Sequence, residues 1–313
     1  MSVAPMSATS TSESQVIIKR HSNRFAILFT APALLFFTVF ALIPVIVAVY
    51  LSFLRWDGIS QPTWIGLKNW AHLFSDPVTA HAIALSIEIM VLSWIIETPI
   101  ALLLGVFQAG QQRYRSVFGI FYFVPLLFST VAIGITWVSL LDPNFGLIDV
   151  MLKSIGLPGL SQGWLGNPNL AFYVVTCVIA WQFIPFHALL YLAGARQIQH
   201  SLYEAARIDG AGVPRTFFSI TLPQLRYTIV TSTVLILTGA LTYFDLIWVM
   251  TQGGPGFATR ILPVQMYISA FQNQLIGYGS MLAVLLAAAG IALSFILLRV
   301  TGFTKMASQL EGL

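Results

Sequence analysis

The stretch Gln199-His200-Ser201-Leu202-Tyr203-Glu204-Ala205-Ala206-Arg207-Ile208-Asp209-Gly210-Ala211-Gly212-Val213-Pro214 is a patterned polar island between long apolar runs. Ser201 and Glu204 stand in the S-x-x-E spacing of a capping box, where the hydroxyl accepts from the Glu204 N–H and the carboxylate from the Ser201 N–H. This spacing predicts a helix starting at Leu202. Gly210 suits the left-handed position that stops a helix. Pro214 suits the first turn of a second helix, which Leu222-Pro223 would end. Two short helices at a turn predict a rigid knob. Ala205 and Ala206 keep its first helix slim, and Glu204 and Arg207 offer charged contacts, the geometry of a helix seated in a partner's groove. An amphipathic loop lying on a membrane face fits these residues equally well.

Both readings place a membrane beside the island. Of 313 residues, 57% are hydrophobic and 8% charged, against about 25% charged in soluble domains. Mean hydropathy is +0.84, leaving too little polar surface to coat a water-soluble globule. Six apolar segments, 25–53, 82–109, 117–141, 171–194, 226–250 and 278–300, are each long enough for the roughly 20 residues a spanning helix needs. The predicted fold class is all-α, a polytopic membrane protein with six transmembrane helices. Residues 1–24 read as a disordered cytoplasmic tail, 25–300 as the transmembrane domain with an inner loop at 195–225, and 301–313 as a short cytoplasmic tail. Lys19, Arg20 and Arg24 precede the first run as in a signal peptide, but that run is too long for a cleaved one.

Charge placement orients the chain. With a cytoplasmic N-terminus, Lys19, Arg20, Arg24, Arg113, Arg115, Arg196, Arg207, Arg215, Arg226, Arg299 and Lys305 fall inside. Only Arg55, Lys68, Lys153 and Arg260 fall outside, which accounts for all 15 basic residues. The island is then cytoplasmic. Segments 54–81 and 142–170, with their Trp, Gly, Pro and Asn, read as structured outer loops.

Several chemistries are excluded. The net charge of +4 is scattered, with no basic stripe or nucleic-acid motif. No G-x-x-x-x-G-K-[ST] loop is present, and no nucleophilic triad or paired-carboxylate site stands out. His21, His72, His81, His187 and His200 lack metal-ligand spacing and read as loop or packing residues, and Cys177 reads as a small packing residue. The chain is not expected to be an enzyme.

Candidates for a solute path lie within the spans. Pro44, Pro99, Pro125 and Pro185 interrupt predicted helices and serve either as gate kinks or as packing kinks. Glu97 is an intramembrane carboxylate, a costly group and a functional candidate by default. Glu88, nine positions earlier, is about half a turn out of phase. Trp181, Gln182, Phe183 and Phe186 on the fourth span, and Thr238, Gly239, Thr242, Tyr243 and Asp245 on the fifth, combine ring faces with polar groups.

Residues 204–223 also match a family motif. Glu204-Ala205-Ala206, Gly210, Ile220 and Leu222-Pro223 satisfy E-A-A-x3-G-x9-I-x-L-P at every fixed position, with Arg207 and Asp209 between. The chain resembles the permease subunits of ABC importers that carry this EAA motif. Trp64-Ile65-Gly66-Leu67-Lys68-Asn69-Trp70 and Thr251-Gln252-Gly253-Gly254-Pro255 are similar to the binding-protein-dependent sugar permeases of maltose type, the latter stretch to the first of their two subunits. This resemblance implies a type I ABC importer transmembrane fold in a bacterial cell membrane, with both termini cytoplasmic. It implies as partners a second homologous permease, two ATPase subunits that hold the ATP and Mg, an extracytoplasmic solute-binding protein and membrane lipid. Glu204, Ala205, Ala206, Arg207, Asp209, Gly210, Ile220, Leu222 and Pro223 would then couple to the ATPase. A permease for a non-sugar solute, and an ion-coupled secondary carrier, are the alternative readings.

Overall fold

In the computed structural model, residues 23–110, 112–160 and 162–300 are described, most of them helical. Residues 1–22 and 301–313, which hold nearly all of the two predicted tails, lie outside the described residues. Two compact units are distinguished, one ending at Val47 and one beginning at Ala48.

Helix α1 (Asn23–Phe37) leads into a π turn at Thr38–Leu42 and then α2 (Ile43–Leu51). The wide turn sits just ahead of Pro44, whose missing N–H would leave an ordinary α turn one bond short. Phe29–Leu51 is long and apolar enough to cross a bilayer, as expected for the first span.

In the second unit, β1 (Leu54–Arg55) pairs antiparallel with β2 (Thr63–Trp64), followed by α3 (Lys68–Leu73). The Asp57 carboxylate accepts from the Ile59 and Ser60 N–H groups in the hairpin, and these bonds hold its pKa down at about 2. Helix α4 (Pro77–Gln108) starts five residues before the predicted limit of 82. Asp76 caps it, accepting from the Val78 N–H at 3.0 Å, and Pro77 fits the first turn, where no N–H is needed.

The third predicted span, 117–141, is not one helix. Helix α5 (Arg113–Leu127) ends two residues after Pro125, and α6 (Thr130–Leu140) restarts at a sharp bend, with the Ser129 hydroxyl accepting from the Ala132 N–H as its cap. The segment 142–170 then holds α7 (Leu147–Ser154). Helix α8 (Ala171–Arg196) matches the fourth span. Short helices α9 (His200–Ile208), α10 (Val213–Thr216) and α11 (Leu222–Gln224) make up the island, with a π turn at Phe217–Thr221.

The fifth predicted span, 226–250, is also broken. Helix α12 (Arg226–Ala240) stops, and α13 (Asp245–Thr251) begins after a four-residue gap. Both the Thr242 N–H and its hydroxyl bond the Gly239 carbonyl, a side-chain competition that turns the backbone out of the helix. Helix α14 (Leu262–Tyr267) and a π turn at Ile268–Gln272 precede α15 (Ile276–Val300), the sixth span. Among the described residues four helices can cross a membrane unbroken, or up to six spans if each bent pair, α5 with α6 and Val213–Gln224 with α12, counts as one.

The second unit is centred on α4 and α8, which pack along each other. Ala101 and Ala188 are fully buried at the crossing, and a Cβ on Gly105 would stand 2.6 Å from the Ala188 carbonyl oxygen. Small residues let the two backbones approach, the usual means of association inside a bilayer. Pro99 and Pro185, read as interruptions, lie inside helices that continue unbroken through them. Cys177, read as a packing residue, is exposed, because Val175, Thr176, Val178 and Ile179 on either side of it occupy the buried face.

Candidate functional site

The island folds as a knob, with one correction to its predicted detail. The capping box does not form. Gln199 is the residue outside the helix, so Ser201 falls within the first turn and cannot cap it. The Glu204 carboxylate instead meets the His200 ring one turn earlier, Oε1 to Nδ1 at 3.0 Å. As predicted, the second helical stretch ends beside Leu222 and Pro223. It runs from Val213 to Gln224 through the π turn at Phe217–Thr221, whose wide turn bonds the Leu222 N–H to the Phe217 carbonyl, and a 69° bend separates it from α12.

The glycine stop is as predicted. Gly210 has φ +69°, its N–H bonds the Arg207 carbonyl, and the Ala211 N–H bonds the Ala206 carbonyl at 2.8 Å. These two bonds define a Schellman stop. Pro214 restarts the chain in the first turn of α10. A hydroxyl pair, Tyr203 to Thr221 at 3.1 Å, braces the two arms of the knob.

Of the predicted coupling residues, Glu204, Ala205, Arg207, Asp209, Gly210 and Pro223 are exposed. Ala206 is buried, Ile220 and Leu222 are half-buried, and Leu222 packs on the cluster of Tyr191, Ala195 and Leu225. The motif therefore mixes surface positions with positions that seat the knob. Sequence reasoning passed over three neighbours, Ile208, Val213 and Phe218, which are 88%, 84% and 65% exposed. They leave the knob with exposed apolar surface. Three large apolar side chains in a polar loop were the signal available.

The intramembrane candidates separate into two places. Glu97 on α4 is fully buried, with its Oε2 3.7 Å from His187 Nε2 on α8. Tyr243 donates to Glu97 Oε1 at 3.5 Å, and Phe183 stacks on Tyr243 with ring centroids 5.6 Å apart. His187 Nδ1 in turn meets the Ser232 hydroxyl of α12 at 2.9 Å. His187 is thus part of a polar node instead of a plain packing residue, and neither it nor Ser232 carried a spacing signal. Gln182 is buried and donates to Thr130 at 3.0 Å. Trp181 packs edge-on against Trp137, and Phe186 edge-on against His187. Glu88 lies apart, accepting from Tyr173 beside a second cavity that includes His81 and Asn169.

The other place is a cavity of about 780 Å3 between the end of α12, α14 and α15. Thr238 and Thr242 line it, as do Phe244 and Tyr267, whose rings are 5.1 Å apart, and Ser294. Tyr267 and Ser294 were not anticipated. Gly239 adjoins Thr238 at this end of α12, and Asp245 is exposed in the first turn of α13.

Residues 97–303 match the family described as "Binding-protein-dependent transport system inner membrane component". The chain belongs to this family. Among its relatives, the "Probable ABC transporter permease protein YurN" of Bacillus subtilis (strain 168) is 36% identical over 270 residues, covering 85% of this permease and 92% of the relative. The diacetylchitobiose uptake system permease protein NgcF of Streptomyces coelicolor is 31% identical over 293 residues, covering 89% and 83%. In overall structure the permease is similar to a bacterial alginate ABC transporter solved in complex with an alginate pentasaccharide-bound periplasmic protein. That match has a TM-score of 0.78 at 22% identity and covers 91% of this chain and 95% of the other. The permease is therefore a multi-pass membrane protein of the type I ABC importer fold.

Proposed function

We propose that this permease is one of two homologous channel subunits of an ATP-driven importer that carries a carbohydrate into the cell, and that the 199–225 knob docks it to ATPase subunits. The observation that carries the docking is the exposed apolar surface of Ile208, Val213 and Phe218 on a glycine-stopped, proline-restarted pair of helices. Such a surface on a braced knob suits insertion into a groove, with Glu204 and Arg207 at its rim. The matched EAA spacing supports the same reading. Both termini are cytoplasmic in this proposal, and ATP and Mg are held by the partner.

The carbohydrate is supported by the names of relatives that take up diacetylchitobiose or alginate. The cavity beside α12 adds aromatic faces at Phe244 and Tyr267, suited to the apolar faces of sugar rings, in a lining that is otherwise mostly apolar. This subunit supplies half of the route, and an extracytoplasmic binding protein delivers the solute.

The test is co-purification with the neighbouring gene products. Wild-type permease retains an ATPase, whereas Phe218→Asp, inserted in the membrane at the same level, loses it. Retention by the Phe218→Asp and Ile208→Asp variants alike would overturn the docking surface. Screening the cognate binding protein against oligosaccharides, amino acids and phosphate esters then identifies the cargo class, and selective binding of a non-carbohydrate overturns the sugar reading.

A further inference from the structure

The node around Glu97 ties one helix at two points. Ser232, near the start of α12 and six residues beyond Arg226, bonds His187 at 2.9 Å. Tyr243, just beyond the end of the same helix, bonds Glu97 at 3.5 Å, and the Glu97 and His187 side chains meet at 3.7 Å. One end of α12 continues from the knob. The other ends at Thr238 and Thr242 of the cavity wall. A single buried pair on α4 and α8 therefore grips the helix that joins the proposed docking element to the proposed solute cavity.

The energetics speak against a purely structural purpose. Glu97, His187 and Ser232 are all buried. Replacing such a polar cluster with apolar residues of similar volume is commonly neutral or stabilising, so its presence asks for another role. The node also has unused bonding capacity. Glu97 Oε2, Ser93 Oγ, Thr98 Oγ1 and the Tyr191 hydroxyl are buried without a well-formed hydrogen bond. Ser93 lies beside Glu97 and Tyr243, and Tyr191 lies beside Ser232 and Thr98. Tyr191 thus stands within reach of Ser232, and Ser93 within reach of Tyr243, so further polar groups surround both ties on α12.

We infer that Glu97 and His187 are positioning residues that hold α12 through Ser232 and Tyr243, and so transmit movement between the knob and the solute cavity. The inference rests on the proposed importer function.

The experiment uses the whole transporter reconstituted in lipid vesicles, with solute-loaded binding protein as the stimulus for ATP hydrolysis. Wild type first establishes stimulation, and its absence would count against the importer reading itself, separately from the node. Glu97→Leu keeps the volume and removes the bonds. We expect it to assemble, yet to lose stimulation by roughly tenfold, within the range of allosteric couplings. Glu97→Gln, which keeps a carbonyl acceptor for Tyr243, should restore most of the stimulation. Ser232→Ala, a change too small to unfold the bundle, should alter the ratio of basal to stimulated hydrolysis, and it decides the matter if Glu97→Leu fails to assemble. An unchanged ratio in Ser232→Ala, or Glu97→Gln and Glu97→Leu behaving alike, overturns the inference.

Discussion

Gly210 shows how much one residue can decide. Its φ of +69° closes the Schellman stop, and a Cβ there would meet nothing within 4 Å. The cost of a side chain is therefore backbone strain alone, about 1–2 kcal/mol for an L-residue. If the proposed docking needs the capped form, Gly210→Ala should weaken retention of the ATPase about tenfold, since about 1.4 kcal/mol is a factor of ten. Gly210→Pro should abolish it, because proline is locked near φ −65°. Membrane insertion should be normal in both, and wild-type uptake by Gly210→Pro would remove the knob from the coupling path. The glycine and Pro214 were legible because each has a local backbone preference that no distant contact has to supply. Ser201 was misread because the helix starts two residues earlier, with Gln199 at the cap position and a His200–Glu204 contact in the first turns.

Among the elements, α4 is fastened at its N-terminal end. The Asp76 carboxylate accepts from the Val78 N–H at 3.0 Å, the Thr79 hydroxyl at 2.6 Å and the Tyr278 hydroxyl of α15 at 3.0 Å. Partial burial pushes the carboxyl pKa up, but the bonds from Thr79, Tyr278 and the backbone outweigh it and hold it below 3.8. A depressed pKa in the folded state means stability that is complete above the ordinary carboxylate value and lost as the pH falls through the lowered one. The midpoint of thermal unfolding in detergent should therefore drop on acidification below about pH 4. Asp76→Asn should lower it at neutral pH and reduce that acid-dependent part. An identical acid profile in the variant would mean that Asp76 is not the group responsible. The same scale held the two span corrections. Hydropathy sees 117–141 and 226–250 as continuous, whereas Pro125 with Ser129, and Gly239 with Thr242, break the backbone by local bonding that an apolar average does not register.

For the whole molecule, the sidedness read from lysine and arginine is a prediction that chemistry can check. In a Cys177→Ser background, a thiol at Asp57→Cys should react with a membrane-impermeant maleimide in intact cells. One at Asp209→Cys should react only once the inner face is opened. The reverse pattern would invert the topology and move the knob to the wrong side for an ATPase.

Mean hydropathy, span lengths, charge asymmetry and the spacing of residues 204–223 were enough to read the fold class and the family. These are one-dimensional properties, set by what a bilayer demands of any chain and by local backbone preference. Which faces of the spans meet was not available in the same way. Helices that are apolar nearly all round carry no polar stripe to say which side is inward. Glu97 could be picked out as costly, but its meeting with His187, 90 positions away, and the grip of both on α12, came only from the packing of α4 against α8. The cavity lined by Thr238, Tyr267 and Ser294 has the same origin, since its walls come from segments brought together by the tertiary fold.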